Sequence, residues 1–218
     1  MAHWAKTELK RNDLEATLLR GAGWLRKNQR LGAGAAAGVV AAAIVISLIL
    51  YQRHAVQNAS WEKLNMAQAA AYAGRPDLAT QGIQDLLNLY PGTPAAGFGL
   101  LFAGDLAYWQ GDYQKAADAY SKLYALGRPA DLMPYALADQ AAAEEALGRY
   151  AESSRDAQAF LDAFPDQFLA PQVHSILARS LLAQGNKDAA KSAYQRIVLE
   201  YSSSYWANEA QQILKSWK

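Results

Sequence analysis

The sequence predicts an all-α protein in which one membrane-length apolar helix precedes a solenoid of paired helices. Three observations carry that prediction. Glycines at Gly74, Gly111, Gly148 and Gly185 stand 37 residues apart. Residues 31–51 hold no charged side chain. Runs rich in Val, Ile and Thr that alternate with period two are missing. Much of the 52% apolar content is alanine, the best helix former and a small packing residue.

The first thirty residues form a basic segment. Lys6, Lys10, Arg11, Arg20, Arg26, Lys27 and Arg30 outweigh Glu8, Asp13 and Glu15, a local charge of +4 in a chain of net charge +1. Residues 13–27 can form a short amphipathic helix. Asp13 would cap it, Leu14, Leu18 and Leu25 would share one face, and Trp24 would sit close by. Such a helix would lie in a membrane interface, and the competing reading is a solvated tail.

Residues 31–51 follow as a transmembrane helix, since about 20 apolar residues span a bilayer. Val39 to Leu50 is strongly apolar, whereas the Gly/Ala-rich first half is weakly so. A buried core helix is the alternative, but Arg26, Lys27 and Arg30 before the stretch and Arg53 after it mark membrane borders. A cleaved signal peptide fits less well. The charged region is too long and no small-residue cleavage site follows, so the span is expected to remain as a signal anchor. The excess of Lys and Arg on the N-terminal side puts that end in the cytoplasm and the body across the membrane. Gly34, Gly38 and Ala42 form a small-residue row of the kind that lets membrane helices approach, pointing to a possible homo-oligomer. No Pro lies between Leu31 and Ala73 and no Gly between Val39 and Ala73, so the anchor is expected to run on into the first repeat helix.

Residues 52–218 form the repeat domain. Each periodic glycine opens a turn between two helical stretches, where a left-handed backbone is favoured. Small residues recur seven positions before it (Ala67, Gly104, Ala141, Ala178) and five after it (Ala79, Ala116, Ser153, Ala190). Large apolar residues recur twelve after it (Leu86, Leu123, Phe160, Ile197). The second helix of each pair ends sixteen or seventeen residues on, at Tyr90-Pro91, Gly127-Arg128-Pro129, Phe164-Pro165 and Tyr201-Ser202. Four helix pairs follow, near 60–90, 95–127, 131–164 and 168–201. A last helix from Ser204 to Lys218 is expected to cap the stack, with Ser203 or Ser204 at its start. Its buried residues would be Tyr205, Ala210, Ile213, Leu214 and Trp217, and Glu209, Gln212 and Lys215 would stay wet.

This order of small, glycine, small, large and proline resembles the tetratricopeptide repeat in a form with three extra residues between units. The resemblance covers about residues 60–201, with Gly127 and Ser153 as departures. It implies a tetratricopeptide-like α-solenoid whose binding face is made by the first helices of the pairs. On that face the register places Trp61, Leu64, Gln68 and Tyr72 in the first unit and Phe98, Leu101, Asp105, Tyr108 and Trp109 in the second. Tyr135 and Glu145 follow in the third and Arg179 in the fourth. The carboxylate clamp of some such proteins needs Lys and Asn ten and six positions before the glycine. Here those positions hold Leu64, Leu101, Ala138 and Ser175, then Gln68, Asp105, Ala142 and Arg179, so that clamp is absent. An aromatic and apolar groove suits an extended chain or a partner helix. The same aromatics could instead fill space between helices, Trp61 and Tyr72 above all.

The pattern does not assemble the chemistry of a catalytic site. Without cysteine there is no thiolate nucleophile and no Cys-ligated zinc. His3, His54 and His174 lie in separate parts of the chain, and His174 reads as a packing or surface residue. Glu144 and Glu145 are sequence neighbours about 100° apart on a helix and read as a solvated face. No HExxH, phosphate-binding loop or nucleophile elbow occurs. No enzyme activity, cofactor or metal is expected. The body, with 14 basic and 17 acidic residues, offers no basic stripe for nucleic acid.

The layout of basic tail, single anchor and tetratricopeptide units resembles the bacterial family of the ancillary subunit of the SecYEG translocon, proteins associated with periplasmic chaperones. The resemblance implies a scaffold or co-chaperone near protein export at the bacterial inner membrane, with a periplasmic repeat domain. Its partners would be a membrane complex, a chaperone or exported chains, besides the lipid bilayer. A structural accessory subunit of another membrane complex is the alternative.

Overall fold

The computed structural model describes residues 19–24 and 26–217. The chain divides into two compact units, Met1–Ala55 and Val56–Lys218. Among the described residues there is no strand.

Residues 19–24 are helical, with Leu19 and Trp24 exposed. The rest of the short helix expected over 13–27 falls partly on residues 13–18 and Leu25, which lie outside the described residues. Helix α1 then runs from Gln29 to Tyr72 without a break, as the absence of Pro along it and of Gly beyond Gly38 predicts. One stretch long and apolar enough to cross a membrane lies in Ala33–Tyr72, and no part of its apolar window is buried. Val39, Val40, Ile44, Val45 and Ile49 all face outward. A buried core helix would have covered them.

In the second unit the end of α1 pairs with α2 (Pro76–Leu89). Three more pairs follow: α3 (Pro94–Trp109) with α4 (Tyr113–Leu126), α5 (Met133–Ala146) with α6 (Tyr150–Ala163), and α7 (Ala170–Ala183) with α8 (Lys187–Glu200). Helix α9 (Tyr205–Ser216) closes the stack. From α3 onward each helix packs on its neighbours in sequence. The first helices also touch one another, α3 with α5 and α5 with α7, and α9 lies against α7.

The periodic positions explain the packing. Ala67, Ala141 and Ala178 are buried, as are Ala79, Ala116, Ser153 and Ala190. Leu86, Leu123, Phe160 and Ile197 are fully buried plugs, each side chain worth roughly 1.5–3 kcal/mol of transfer free energy. Ser153, the polar departure, is satisfied in the core. Its hydroxyl donates to the Ala141 carbonyl at 2.8 Å and lies 2.9 Å from the Ser180 hydroxyl.

Helix termini follow the sequence closely. Gly74, Gly111, Gly148 and Gly185 all have φ between 72° and 81°. The residue after each glycine donates its N–H to a carbonyl five positions back, Arg75 to Ala70, Asp112 to Ala107, Arg149 to Glu144 and Asn186 to Leu181. This is the Schellman bond that closes a helix through a left-handed residue. The second helices stop at Tyr90, Gly127, Phe164 and Tyr201, one repeat apart. Gly127 takes the left-handed cap itself, with φ 66°.

The cap helix departs from expectation at Tyr205 and at Glu209, which is half-buried where it was expected to stay wet. Ser204 caps it, accepting from the Ala207 N–H at 3.2 Å. Ala210 is buried and Ile213, Leu214 and Trp217 are half-buried against the core, but Tyr205 is 76% exposed. Tyr205 opens the helix, two residues before Ala207, and Ala207 turns to the core in its place.

Candidate interaction face on the first helices

The face predicted to bind partners is built from α3, α5 and α7 together with the end of α1. Its residues fall in three local groups. At the α1 end, Trp61 packs on Phe98 with ring centroids 5.3 Å apart, and Tyr72 lies 6.5 Å from Phe102. These rings touch each other yet stay open to solvent: Trp61 and Phe98 are each 37% exposed and Tyr72 is 80% exposed. Leu64 is not on this surface. It is buried against Leu86 and Ala95, because the ten-before position turns inward. Ala138 and Ser175, at the same register, are buried too. Leu101 is half-buried and packs against the interior clusters on either side of it.

The second group surrounds a cavity of about 230 Å³. Helix α3 contributes Asp105, Tyr108 and Trp109, and α4 contributes Tyr120. Asp139 and Ala142 come from α5, and Gln172 comes from α7. Three of the sequence-predicted residues, Asp105, Tyr108 and Trp109, are thus brought together. Trp109 stands at the edge, 77% exposed, while the Tyr108 ring is held edge-on by Tyr113 at 5.0 Å.

One missing side chain makes this arrangement possible. A Cβ on Gly104 would lie 2.3 Å from Tyr120 Cε1, so the glycine admits the Tyr120 ring flat against α3. The buried ring then reaches Asp105, to which its hydroxyl donates at 2.8 Å. Burial raises the Asp105 carboxyl above the ordinary carboxylate range, and that hydrogen bond pulls it partly back. Asp139 is pushed up to about 7, first by burial and then by the charge of Asp105. Among the described residues Asp139 makes no hydrogen bond and no ion pair. Burial also raises the Tyr108 and Tyr120 hydroxyls.

Asp139, Tyr120 and Gln172 were not singled out in the sequence. Gln172 occupies the thirteen-before position of its unit, which the register assigns to this face. Asp139 is nine before Gly148, off that register, and Tyr120 is on a second helix. Gly104, one of the periodic small residues, is the sequence feature that lets α4 come close.

The third group is already occupied within the chain. Arg179 donates from Nε and Nη2 to the two carboxylate oxygens of Glu145 at 2.6 and 2.7 Å, and from Nη1 to Ser175 Oγ at 2.8 Å. It ties the third helix pair to the fourth. Glu144 and Glu145 are therefore not a solvated face. Glu144 is buried and ion-paired with Arg149 at 3.3 Å, and Glu145 is held by Arg179. Tyr135, on α5, meets the exposed Phe168 ring at 6.2 Å.

His174 is a packing residue, buried 5.8 Å from the Tyr201 ring and lowered in pKa by burial. No group of three or more metal-ligating side chains gathers among the described residues. Gly34 and Gly38 have no neighbouring group within 4 Å of a Cβ position.

Comparison with known proteins agrees with this architecture. The tetratricopeptide repeat family model matches residues 176–204. A tetratricopeptide repeat protein from Parabacteroides merdae superposes with a TM-score of 0.62 at 17% identity, covering 72% of this chain and 59% of that one. A double mutant of MamA RS-1 gives 0.59 at 19% identity, over 71% of this chain and 80% of that one. The N-terminal domain of stress-induced protein-1 from C. elegans gives 0.50 at 14% identity, over 56% and 97%. The chain thus spans a little under three fifths of the first of these structures. Among curated proteins none matches. With a tetratricopeptide repeat at residues 176–204 and three further helix pairs of the same register before it, the chain has the fold of tetratricopeptide-repeat solenoids.

Proposed function

We propose that the chain is a membrane-anchored protein-interaction scaffold or co-chaperone acting near protein export in the bacterial envelope, similar in layout to the ancillary subunit of the SecYEG translocon. Residues 31–51 are the anchor, the basic head stays in the cytoplasm, and the repeat domain lies in the periplasm. The observation that carries this reading is the set of rings left open on the first-helix face. Trp61, Tyr72, Phe98 and Trp109 could each have been buried in an alanine-rich core, and instead remain in reach of a partner. Large aromatic rings are what protein-binding surfaces use as anchors. Phe98, Leu101, Asp105, Tyr108, Trp109, Tyr135 and Arg179 mark the face. Arg179 shapes it from within its pair with Glu145, and the row Gly34, Gly38 and Ala42 supports association between anchors. The fold class is one that works by holding other proteins, and no catalytic role is assigned.

The test is affinity purification from gently solubilised membranes with mass spectrometry. It uses three forms: the native chain, a chain with residues 31–51 replaced by an unrelated apolar span, and Trp61→Ala with Phe98→Ala. The expected result is that the partner survives the anchor exchange and is lost from the double variant, whose circular dichroism stays helical. A partner that is lost with the anchor and kept by the double variant would make the solenoid a structural buttress and overturn the proposal.

A further inference from the structure

We infer that the cavity between α3, α5 and α7 receives one positively charged side chain, arginine or lysine, from a bound polypeptide. The inference rests on the reading of the first-helix face as a polypeptide-binding surface and adds what that surface recognises.

The argument begins with charge. Asp105 and Asp139 line the same small space, and no Lys or Arg lines it with them. Asp105 has the Tyr120 hydroxyl as a donor, whereas Asp139 has neither donor nor counter-ion among the described residues. The nearby guanidinium, Arg179, is spent on Glu145 through both carboxylate oxygens. Buried charges are normally paired or ligand-bound, because an unpaired one is costly. Here the polarity of the cavity calls for a cation brought from outside.

Ring chemistry narrows the cation. Tyr108, Trp109 and Tyr120 present aromatic surface beside the carboxylates, and an organic cation gains from rings as well as from carboxylates. A metal ion would want more oxygen ligands, and no third metal-ligating side chain joins these two. Gln172 adds an amide that can accept from a guanidinium or ammonium N–H.

Size narrows it further. About 230 Å³ is below the roughly 300–1,000 Å³ of small-molecule pockets, and suits a single side chain entering from a chain laid along the face. Trp109, exposed at the edge, would lie along the aliphatic stem.

The test uses the full chain in nanodiscs and three fluorescent peptides, Ala-Leu-Ser-Xaa-Ser-Leu-Ala with blocked ends, where Xaa is arginine, lysine or glutamine. Binding is read by fluorescence anisotropy at pH 8. The charged peptides should bind roughly tenfold more tightly than the glutamine peptide, the scale of one charge-assisted contact. Asp139→Asn and Asp105→Asn should each remove most of that preference. Thermal unfolding of Asp139→Asn, expected at or above the native temperature, separates lost recognition from lost fold. Equal binding of the three peptides, no binding by any, a preference that survives Asp139→Asn, or displacement by magnesium or calcium as effective as by methylguanidinium would each overturn the inference. Failure here, with partner capture still lost in the Trp61→Ala, Phe98→Ala chain, would leave the scaffold reading standing. Loss of that reading shows instead in the anchor exchange.

Discussion

Asp139 sits where the fold alone gains nothing from a carboxylate. Its pKa is pushed up to about 7 by burial and by Asp105, so the folded chain holds a proton there that the unfolded chain releases near pH 4. Between those values the native state binds more protons than the unfolded state, and its stability falls as pH rises. Asparagine removes the charge and with it that slope. Asp139→Asn should therefore be more stable than the native chain at pH 8, by up to about 4 kcal/mol, with the advantage shrinking toward pH 4. Urea unfolding at a series of pH values measures this, and a constant difference across the series would show that Asp139 ionises as a solvated carboxylate. Three of the seven residues that line this cavity are legible in the sequence. Asp105, Tyr108 and Trp109 follow from their distance to a glycine. Asp139 and Tyr120 do not, because their role depends on how near α4 comes to α3, which is set by the absence of one Cβ at Gly104. Register states which way a residue points, but it does not state what a neighbouring helix lays beside it.

At the scale of helices the sequence was far more legible, because each boundary is a local chemical event. The Schellman glycines, the second-helix stops and the Ser204 cap each depend on one or two residues, and all appear where the 37-residue period puts them. Gly127 looked like a departure because it replaces a large residue. It instead ends its helix by left-handed backbone, where Tyr90, Phe164 and Tyr201 end theirs by leaving helical geometry with φ still negative. What the period could not reveal was pairing between units. Glu144 and Glu145 looked like neighbours facing water because nothing local announces Arg149 folding back or Arg179, 34 residues away, reaching across. The Arg179–Glu145 pair is bidentate and partly buried, with side chains 37% and 18% exposed. A double-mutant cycle of Arg179→Ala and Glu145→Ala should give a coupling energy of about 1–2 kcal/mol, above the roughly 0.2–1 kcal/mol of exposed pairs. A coupling near zero in urea unfolding would reduce the contact to a surface pair with no part in joining the third and fourth repeats.

For the whole molecule the distribution of charge matters more than any contact. The first thirty residues carry +4 and the remainder −3 on either side of an uncharged stretch of 21. Basic residues beside a span resist translocation, whereas a mildly acidic domain crosses without that bias. This asymmetry is the argument for a head in the cytoplasm and a solenoid on the far side, and it can be tested with unusual directness because the chain has no cysteine. Any single introduced thiol is then the only one to label. Thr7→Cys lies in the basic head and Ser202→Cys on an exposed loop between α8 and α9. In bacterial cells whose outer membrane has been made permeable, a membrane-impermeant maleimide should modify Ser202→Cys at once. It should modify Thr7→Cys only after the inner membrane is disrupted. The reverse pattern would place the solenoid in the cytoplasm, and labelling of both before disruption would mean that the stretch does not span. Replacing Arg26, Lys27 and Arg30 with glutamine, which removes the strongest basic flank, should move a measurable fraction of the Thr7→Cys chains to the accessible side. That shift would tie the orientation to those three charges, since the solenoid is the same in both forms.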